Sequence, residues 1–123
     1  MNGLRKAKQA SSRPAILFTH YPALASTLDN AAELIDRHGW WGARGVMTGP
    51  GRPLNALTAI TRASLATVGE SPFLFDHIEE AVTVLEATLD IDAGTLLEWN
   101  NSRSCAEVVT DALRLCATRL RYS

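Results

Sequence analysis

HGWWGARGVMTGPGRPLNAL, residues 38–57, interrupts a chain that is otherwise helical in its pattern. Gly39 is placed to end the preceding helix, because glycine adopts the left-handed conformation without a steric cost. If the backbone is extended beyond it, the side chains of Trp40 and Trp41 point to opposite faces. We therefore expect one indole to anchor the segment to the core and the other to lie at the surface.

The second half of this segment favours a tight turn. Residues 47–52 place Pro50 between two glycines, and these residue types supply turn dihedrals. Two very short strands around Val46 and Leu54 would then form a hairpin. The alternative is a loop that only links two helices and uses one tryptophan as a plug.

Apolar residues recur at helical spacing on both sides of the segment, which predicts an all-α domain of four to five helices. The predicted helices are Pro22 to His38, Pro53 to Val68, a third that starts at Ser71-Pro72, a short one over Leu96, Leu97 and Trp99, and a last one from Ser104 to Arg121. Prolines and small polar residues mark the starts, and Ser104 with Glu107 matches a capping box.

The four longer predicted helices each have one face expected to be buried. These faces consist of Leu24, Leu28, Ala31 and Ile35; of Leu54, Leu57, Leu65 and Val68, with Ile60 at the edge; of Ile78, Val82, Leu85 and Leu89; and of Val109, Ala112, Leu113, Cys116 and Leu120.

Charges are unevenly distributed along the chain. The formal net charge is −1, which argues against nucleic-acid binding through bulk electrostatics. The first four basic residues nevertheless precede every acidic one, and they are Arg5, Lys6, Lys8 and Arg13. We predict a basic arm over residues 1–14 and a single helical domain over residues 15–123. The apolar run at residues 15–18 is compatible with a strand or with an arm packed on the helices.

Cys105 and Cys116 fall in the last predicted helix. Their spacing corresponds to about 16 Å of helical rise, which is too far for a disulfide. We expect reduced thiols and a cytoplasmic location. The sequence shows no secretory signal and no apolar window long enough for a membrane span, so we expect no membrane partner.

No metal ion or cofactor is expected. His20, His38 and His77 are dispersed, and no pair has the i, i+4 spacing that places two ligands on one helical face. The segment DIDAG at residues 90–94 matches the start of a calcium loop only in part, because its glycine comes one position early and the twelfth position is an asparagine.

Arg44 and Arg52 lie in the glycine-rich part of the segment. They could hold an anion beside the N-terminus of the second helix, or they could simply be solvated. No Gly-Lys-Ser/Thr sequence follows, so the segment is not a nucleotide phosphate loop.

Several short motifs occur together in this chain. They are Ala31-Ala32, Leu34-Ile35, His38-Gly39-Trp40, Ala56-Leu57, Trp99-Asn100 and the helix start Ser104…Glu107-Val108. Over about residues 28–120 the set resembles a family of small uncharacterised proteins of actinobacteria and their phages. The chain differs at Arg52 and Asn55, where cysteine and glycine are common, and at Asn101, where aspartate usually follows Trp-Asn. The resemblance implies no activity, cofactor or catalytic residue.

The leading hypothesis is a non-enzymatic interaction or regulatory module. It would present the loop from Trp40 to Arg52 to a protein partner or to a second copy of the chain. The contacts would be made by Trp40, Trp41, Arg44 and Arg52. Tryptophan and arginine are enriched at the hot spots of protein interfaces.

Two alternatives remain at this point. One is a small enzyme with a pocket beneath residues 40–53 that uses His38 or His77 as acid or base. The other is nucleic-acid binding through the basic arm, which would make affinity strongly salt-dependent.

Overall fold

The computed structural model describes residues 13–42, 53–89 and 95–122, with side chains from residue 21 onward. Within these ranges the chain forms five helices and no strand, which confirms the all-α class. The helices are α1 (Arg13–His38), α2 (Ala56–Val68), α3 (Leu74–Leu89), α4 (Leu96–Asn101) and α5 (Ala106–Arg121). No helix in the described ranges is long and apolar enough to cross a lipid bilayer.

The packing of α1 against α5 forms the centre of the domain. The two helices are antiparallel, because Arg114 pairs with Asp36 whereas Arg121, seven residues later in α5, pairs with Asp29, seven residues earlier in α1. Every residue predicted for the buried faces of these two helices is buried. The apolar periodicity therefore identified both faces correctly.

Helix α1 begins at Arg13, so the prediction of a helix start at Pro22 is wrong. Proline suits the first helical position because the backbone N–H that it lacks has no partner there. Inside a helix, as at Pro22, it removes one backbone hydrogen bond, at a cost of about 3 kcal/mol. The run at residues 15–18 is helical and not a strand. Two residues of the predicted arm, 13 and 14, belong to α1, and residues 1–12 lie outside the described ranges.

Helix α2 begins at Ala56, three residues after the predicted start, because Leu54 is paired with the end of α1 and Asn55 is the N-cap. The Asn55 side chain accepts a hydrogen bond from the Thr58 amide at 2.7 Å. The buried face agrees only in part with the predicted one. Leu54 is buried as predicted and Ile60 is fully buried, whereas Leu57 and Val68 are half-buried. The buried residues of the helix itself are Ala56, Ala59, Ile60, Ala63 and Ser64. Small side chains allow a neighbouring helix to approach closely, whereas Leu65 is exposed.

Helix α3 begins at Leu74, after a turn in which Ser71 accepts a hydrogen bond from the Phe73 amide. Its buried residues are His77, Ala81 and Leu85. The predicted face contained Leu85 but was rotated by about one residue, because the histidine was not counted among the buried residues.

The capping box predicted at Ser104 is wrong. Cys105 is the N-cap of α5 and makes no side-chain capping bond. The same Ser/Thr-x-x-Glu spacing occurs at Thr95 and Glu98, where both reciprocal bonds form and start α4. At α5 the N-cap lies one residue later than predicted, so Ser104 and Glu107 are each one position away from where a capping box requires them.

Candidate functional site

Asn100 joins three parts of the domain. Its side chain is fully buried at the end of α4. The Oδ1 atom accepts hydrogen bonds from the Trp40 indole Nε1–H at 2.8 Å and from the Ala56 amide at 3.0 Å. The Nδ2 group donates to the Trp41 carbonyl at 3.1 Å and to the Asn101 Oδ1 at 3.2 Å. All four hydrogen-bonding positions of one amide are therefore used.

The chemistry of the partners fixes the orientation of this amide. An indole N–H and a backbone N–H can only donate, so the Asn100 atom that faces both must be the oxygen. The Ala56 amide is in the first turn of α2, where no intrahelical acceptor exists. Asn100 thus supplies an acceptor that α2 itself cannot provide.

Trp40 is held by its backbone as well as by its indole. It forms an isolated parallel bridge with Leu54. The Trp41 amide donates to the Leu54 carbonyl at 3.0 Å, and the Leu54 amide donates to the Gly39 carbonyl at 2.9 Å. Gly39 has φ 100°, which favours glycine at this position. Leu54 is thus paired with Trp40, and Val46, the other strand of the hairpin that the sequence suggested, lies outside the described residues.

Gly42 is required by the buried indole. A Cβ atom at this position would lie 2.6 Å from Cζ2 of Trp40, closer than carbon atoms approach without displacement. The glycine that follows the two tryptophans therefore makes room for the first of them.

Trp41 differs from its neighbour in exposure. Its side chain is 43% exposed, whereas Trp40 is fully buried. The backbone of Trp41 is hydrogen-bonded on both sides, through its amide to Leu54 and through its carbonyl to Asn100. The structure thus holds an aromatic side chain at the surface on a fixed piece of backbone.

The expectation that one tryptophan is core and the other lies at the surface is confirmed. Trp40 was also named as an interaction residue, and its burial removes it from any exposed surface. The large indole is part of the hydrophobic core, and its single polar atom is satisfied by Asn100. Arg44 and Arg52 lie outside the described residues.

Trp99 and Arg103 lie beside this junction, since Trp99 directly precedes Asn100. Trp99 is half-buried rather than fully in the core. The Arg103 guanidinium carbon lies 5.1 Å from the centroid of its ring, within the range of a cation–π contact. This contact adds a second aromatic residue and a positive charge at the α4 end of the domain.

His77 forms a separate polar cluster. It is buried, and its Nε2 atom lies 2.8 Å from Thr27 Oγ1. Thr27 bonds to Thr67 at 3.0 Å, and the Thr67 hydroxyl donates to the Ala63 carbonyl at 2.8 Å. Because Thr67 uses its proton on Ala63, Thr27 must donate to Thr67 and accept from His77 Nε2–H. The chain of bonds ties α3 to α1 and α2.

This cluster lies beside the middle of α1. Thr27 is eleven residues before the end of α1, which corresponds to about 16 Å of helix. His77 therefore meets a second polar group, as the enzyme hypothesis required. Residues 43–52 lie outside the described part of the chain, so the pocket predicted beneath residues 40–53 stays a prediction. His38 is half-exposed at the end of α1, and the side chain of His20 lies outside the described part of the chain.

Cys116 does not form a nucleophilic pair with His77. Cys116 is buried and lies 3.3 Å from Thr88 Oγ1, and Thr88 is about 16 Å along α3 from His77. Burial raises the pKa of the Cys116 thiol, although the Thr88 hydrogen bond and the Arg119 charge oppose the rise. A raised thiol pKa disfavours the reactive thiolate.

An open cavity of about 410 Å³ lies where α3 and α5 meet α1. Its lining residues are Tyr21, Thr83, Val84, Ala87, Thr88, Cys116, Arg119 and Leu120. The described residues contain no group of three or more potential metal ligands.

The sequence did not identify Asn100 as a site residue. Two adjacent asparagines before a helix start are typical of turn hydrogen bonds, but three of the four partners of Asn100 are 44 to 60 positions away along the chain. The available signal was the joint occurrence of His38-Gly39-Trp40 and Trp99-Asn100, two motifs that the fold brings into direct contact.

Comparison with known proteins identifies the family. The model of a family of unknown function, DUF6197, matches residues 20–119. The chain therefore belongs to this family. Neither the curated proteins nor the solved structures include a significant match to the chain. The matched range contains the whole Trp40–Asn100 junction.

Proposed function

We propose that this member of the DUF6197 family is a non-enzymatic interaction module that presents Trp41, with the loop that follows it, to a protein partner. One observation carries the proposal. Trp41 is 43% exposed, and its backbone is nevertheless hydrogen-bonded to the body of the domain on both sides.

A fixed aromatic side chain is suited to binding. Tryptophan is among the residues most enriched at interface hot spots. An anchor that is held in place before binding loses less conformational entropy when the complex forms. Asn100 supports this arrangement from below, because it bonds to the Trp41 carbonyl and to the buried indole of Trp40 at the same time.

The residues around Trp41 favour a partner with acidic groups. Arg44 and Arg52 belong to the loop that follows, and Arg103 stacks on Trp99 next to Asn100. Arginine forms bidentate bonds with carboxylates and also stacks on aromatic rings. The proposed surface is therefore aromatic and basic.

The test compares three variants with the parent chain in affinity capture from host lysate. The variants are Trp41→Ala, Arg44→Ala and, as a control, Tyr122→Ala. Tyr122 is 86% exposed and follows Arg121, whose ion-pair partner Asp29 lies nine residues, or about 14 Å of helix, before the end of α1. A captured protein would be identified, purified and titrated against each variant.

We expect the affinity of that protein to fall by at least about thirtyfold in Trp41→Ala, the change expected for a hot spot of about 2 kcal/mol. Tyr122→Ala should bind normally, and far-UV circular dichroism should be unchanged in all variants. Equal binding by Trp41→Ala and the parent chain would reject the proposal.

Sedimentation velocity over a range of concentrations distinguishes a second copy from another protein. Self-association that is lost in Trp41→Ala and kept in Tyr122→Ala would identify the partner as the chain itself. A monomer at all concentrations leaves a different protein as the partner.

A further inference from the structure

The corner between α2 and α3 exposes two phenylalanine side chains. Phe73 is 68% exposed and Phe75 is 81% exposed. Exposure of single apolar residues is common, but two almost fully exposed rings within three positions are not explained by the core. Phe75 lies on the side of α3 opposite to the buried His77, so it cannot reach the interior.

The same corner carries carboxylates without counter-charges. Glu70, Asp76 and Glu79 are exposed, and none of them forms an ion pair with a described residue. Glu79 follows Phe75 by four residues and Asp76 by three, so these three side chains share one helical surface. We call Glu70, Phe73, Phe75, Asp76 and Glu79 the acidic corner.

Charge is strongly segregated along the chain. Residues 63–102 contain eight of the 13 acidic residues and no lysine or arginine. The opposite composition occurs at the N-terminus, where residues 1–12 contain Arg5, Lys6 and Lys8 and no acidic residue. The corner and this segment are therefore complementary in sign.

We propose that the basic N-terminal segment, residues 1–12, docks on the acidic corner of its own chain. Lysine and arginine over exposed phenylalanine rings form cation–π contacts, and adjacent carboxylates strengthen the attraction. The corner offers both phenylalanine rings and carboxylates. The N-terminal segment supplies three cations within four positions and Leu4 as an apolar residue.

The length of the segment allows this contact. Arg5, Lys6 and Lys8 lie eight, seven and five residues before Arg13, so an extended backbone carries them at most about 28, 24 and 17 Å from the start of α1. Thr27, which is hydrogen-bonded to His77 in the first turns of α3, lies 14 residues, or about 21 Å, along α1 from Arg13. Arg5 and Lys6 can therefore reach the level of the acidic corner.

The inference is independent of the proposed Trp41 surface. The family match covers residues 20–119 and does not include the segment.

Paramagnetic broadening in the full-length chain tests the proposal. A nitroxide is attached at Gln9→Cys, a position that leaves the three cations in place. Cys105→Ser is added so that no half-buried native thiol is labelled. We expect the amide signals of residues 73–79 to lose intensity, and the loss to disappear at high salt because exposed ion pairs are screened.

A matched pair of charge reversals provides the control. Asp76→Lys with Glu79→Lys should abolish the broadening. Glu107→Lys with Asp111→Lys changes the net charge by the same amount on the exposed side of α5 and should leave it intact. Each pair also places one lysine in the first turn of a helix, so the cost in helix stability is matched.

Two results would overturn the proposal. One is the absence of selective broadening at residues 73–79. The other is broadening that appears only in a mixture of two chains, one isotope-labelled without nitroxide and one unlabelled with nitroxide. In that case the segment docks on a second copy of the chain.

Discussion

Replacement of Asn100 by alanine should destabilise the domain far more than replacement of its neighbour. Asn100→Ala removes the acceptor of two buried donors, the indole N–H of Trp40 and the amide of Ala56. A buried donor left without a partner costs about 1–3 kcal/mol. The free energy of unfolding should therefore fall by about 2–6 kcal/mol, a large part of the 5–15 kcal/mol typical of a small domain.

Asn101→Ala is the control for this prediction. Asn101 is half-buried, and its one hydrogen bond recorded in the structure accepts from the Asn100 side chain. Its loss frees one N–H of Asn100 at a part-buried position that water can reach, and every backbone and indole donor of the junction keeps its partner. We expect a change below about 1 kcal/mol.

Urea unfolding monitored by tryptophan fluorescence and by circular dichroism measures both changes. The two probes should give coincident transitions if unfolding is two-state. If the two variants lie within about 0.5 kcal/mol of each other, a difference of the size expected for ordinary surface substitutions, the junction does not have the role assigned to Asn100.

Three further predictions follow from the packing. Gly42→Ala should lower the free energy of unfolding by about 1–3 kcal/mol, because the added methyl group overlaps the buried indole; urea unfolding that is unchanged would contradict the steric argument. Thr27→Val should cost about 1–3 kcal/mol, since it preserves shape but leaves His77 Nε2–H without an acceptor; a neutral effect in the same assay would exclude this hydrogen-bond chain. Iodoacetamide should modify Cys105 in the folded protein and Cys116 only in urea, because burial raises the pKa of the Cys116 thiol and blocks access. The thiolate fraction of Cys116 in the folded state is thus depressed at neutral pH and grows as pH rises. Equal labelling of Cys105 and Cys116 in the folded protein at pH 7, measured by mass-spectrometric peptide mapping, would contradict this.

The faces of α1 and α5 could be predicted because large apolar residues mark them. Leu24 and Leu28 in α1 and Leu113 and Leu120 in α5 recur at helical spacing, and all four are buried. Such periodicity is a local property of the sequence, and no knowledge of the neighbouring helices is needed to interpret it.

The face of α2 could not be predicted in the same way. The pattern favoured the leucines, whereas the fold buries Ala59, Ala63 and Ser64 and exposes Leu65. Which side of a helix is buried here depends on how closely the partner helix approaches. Small residues permit that approach, and a scale that weights residues by size gives them little importance.

The junction at Asn100 lay beyond local reasoning for another reason. Its bonds to Trp40 and Ala56 span 60 and 44 positions. An asparagine before a helix is equally compatible with a simple turn. Only the assembled fold shows that the amide satisfies an indole and a helix N-terminus together.

Hydrogen exchange of the tryptophan indole N–H groups tests the central claim most directly. The three indole signals can be assigned in a ¹⁵N correlation spectrum by single Trp→Phe substitutions. We predict that the Trp40 signal exchanges only through global unfolding, because its Nε1–H is buried and bonded to Asn100, whereas the Trp41 signal exchanges rapidly at the surface. Equal protection of the two signals, or rapid exchange at Trp40, would contradict the account.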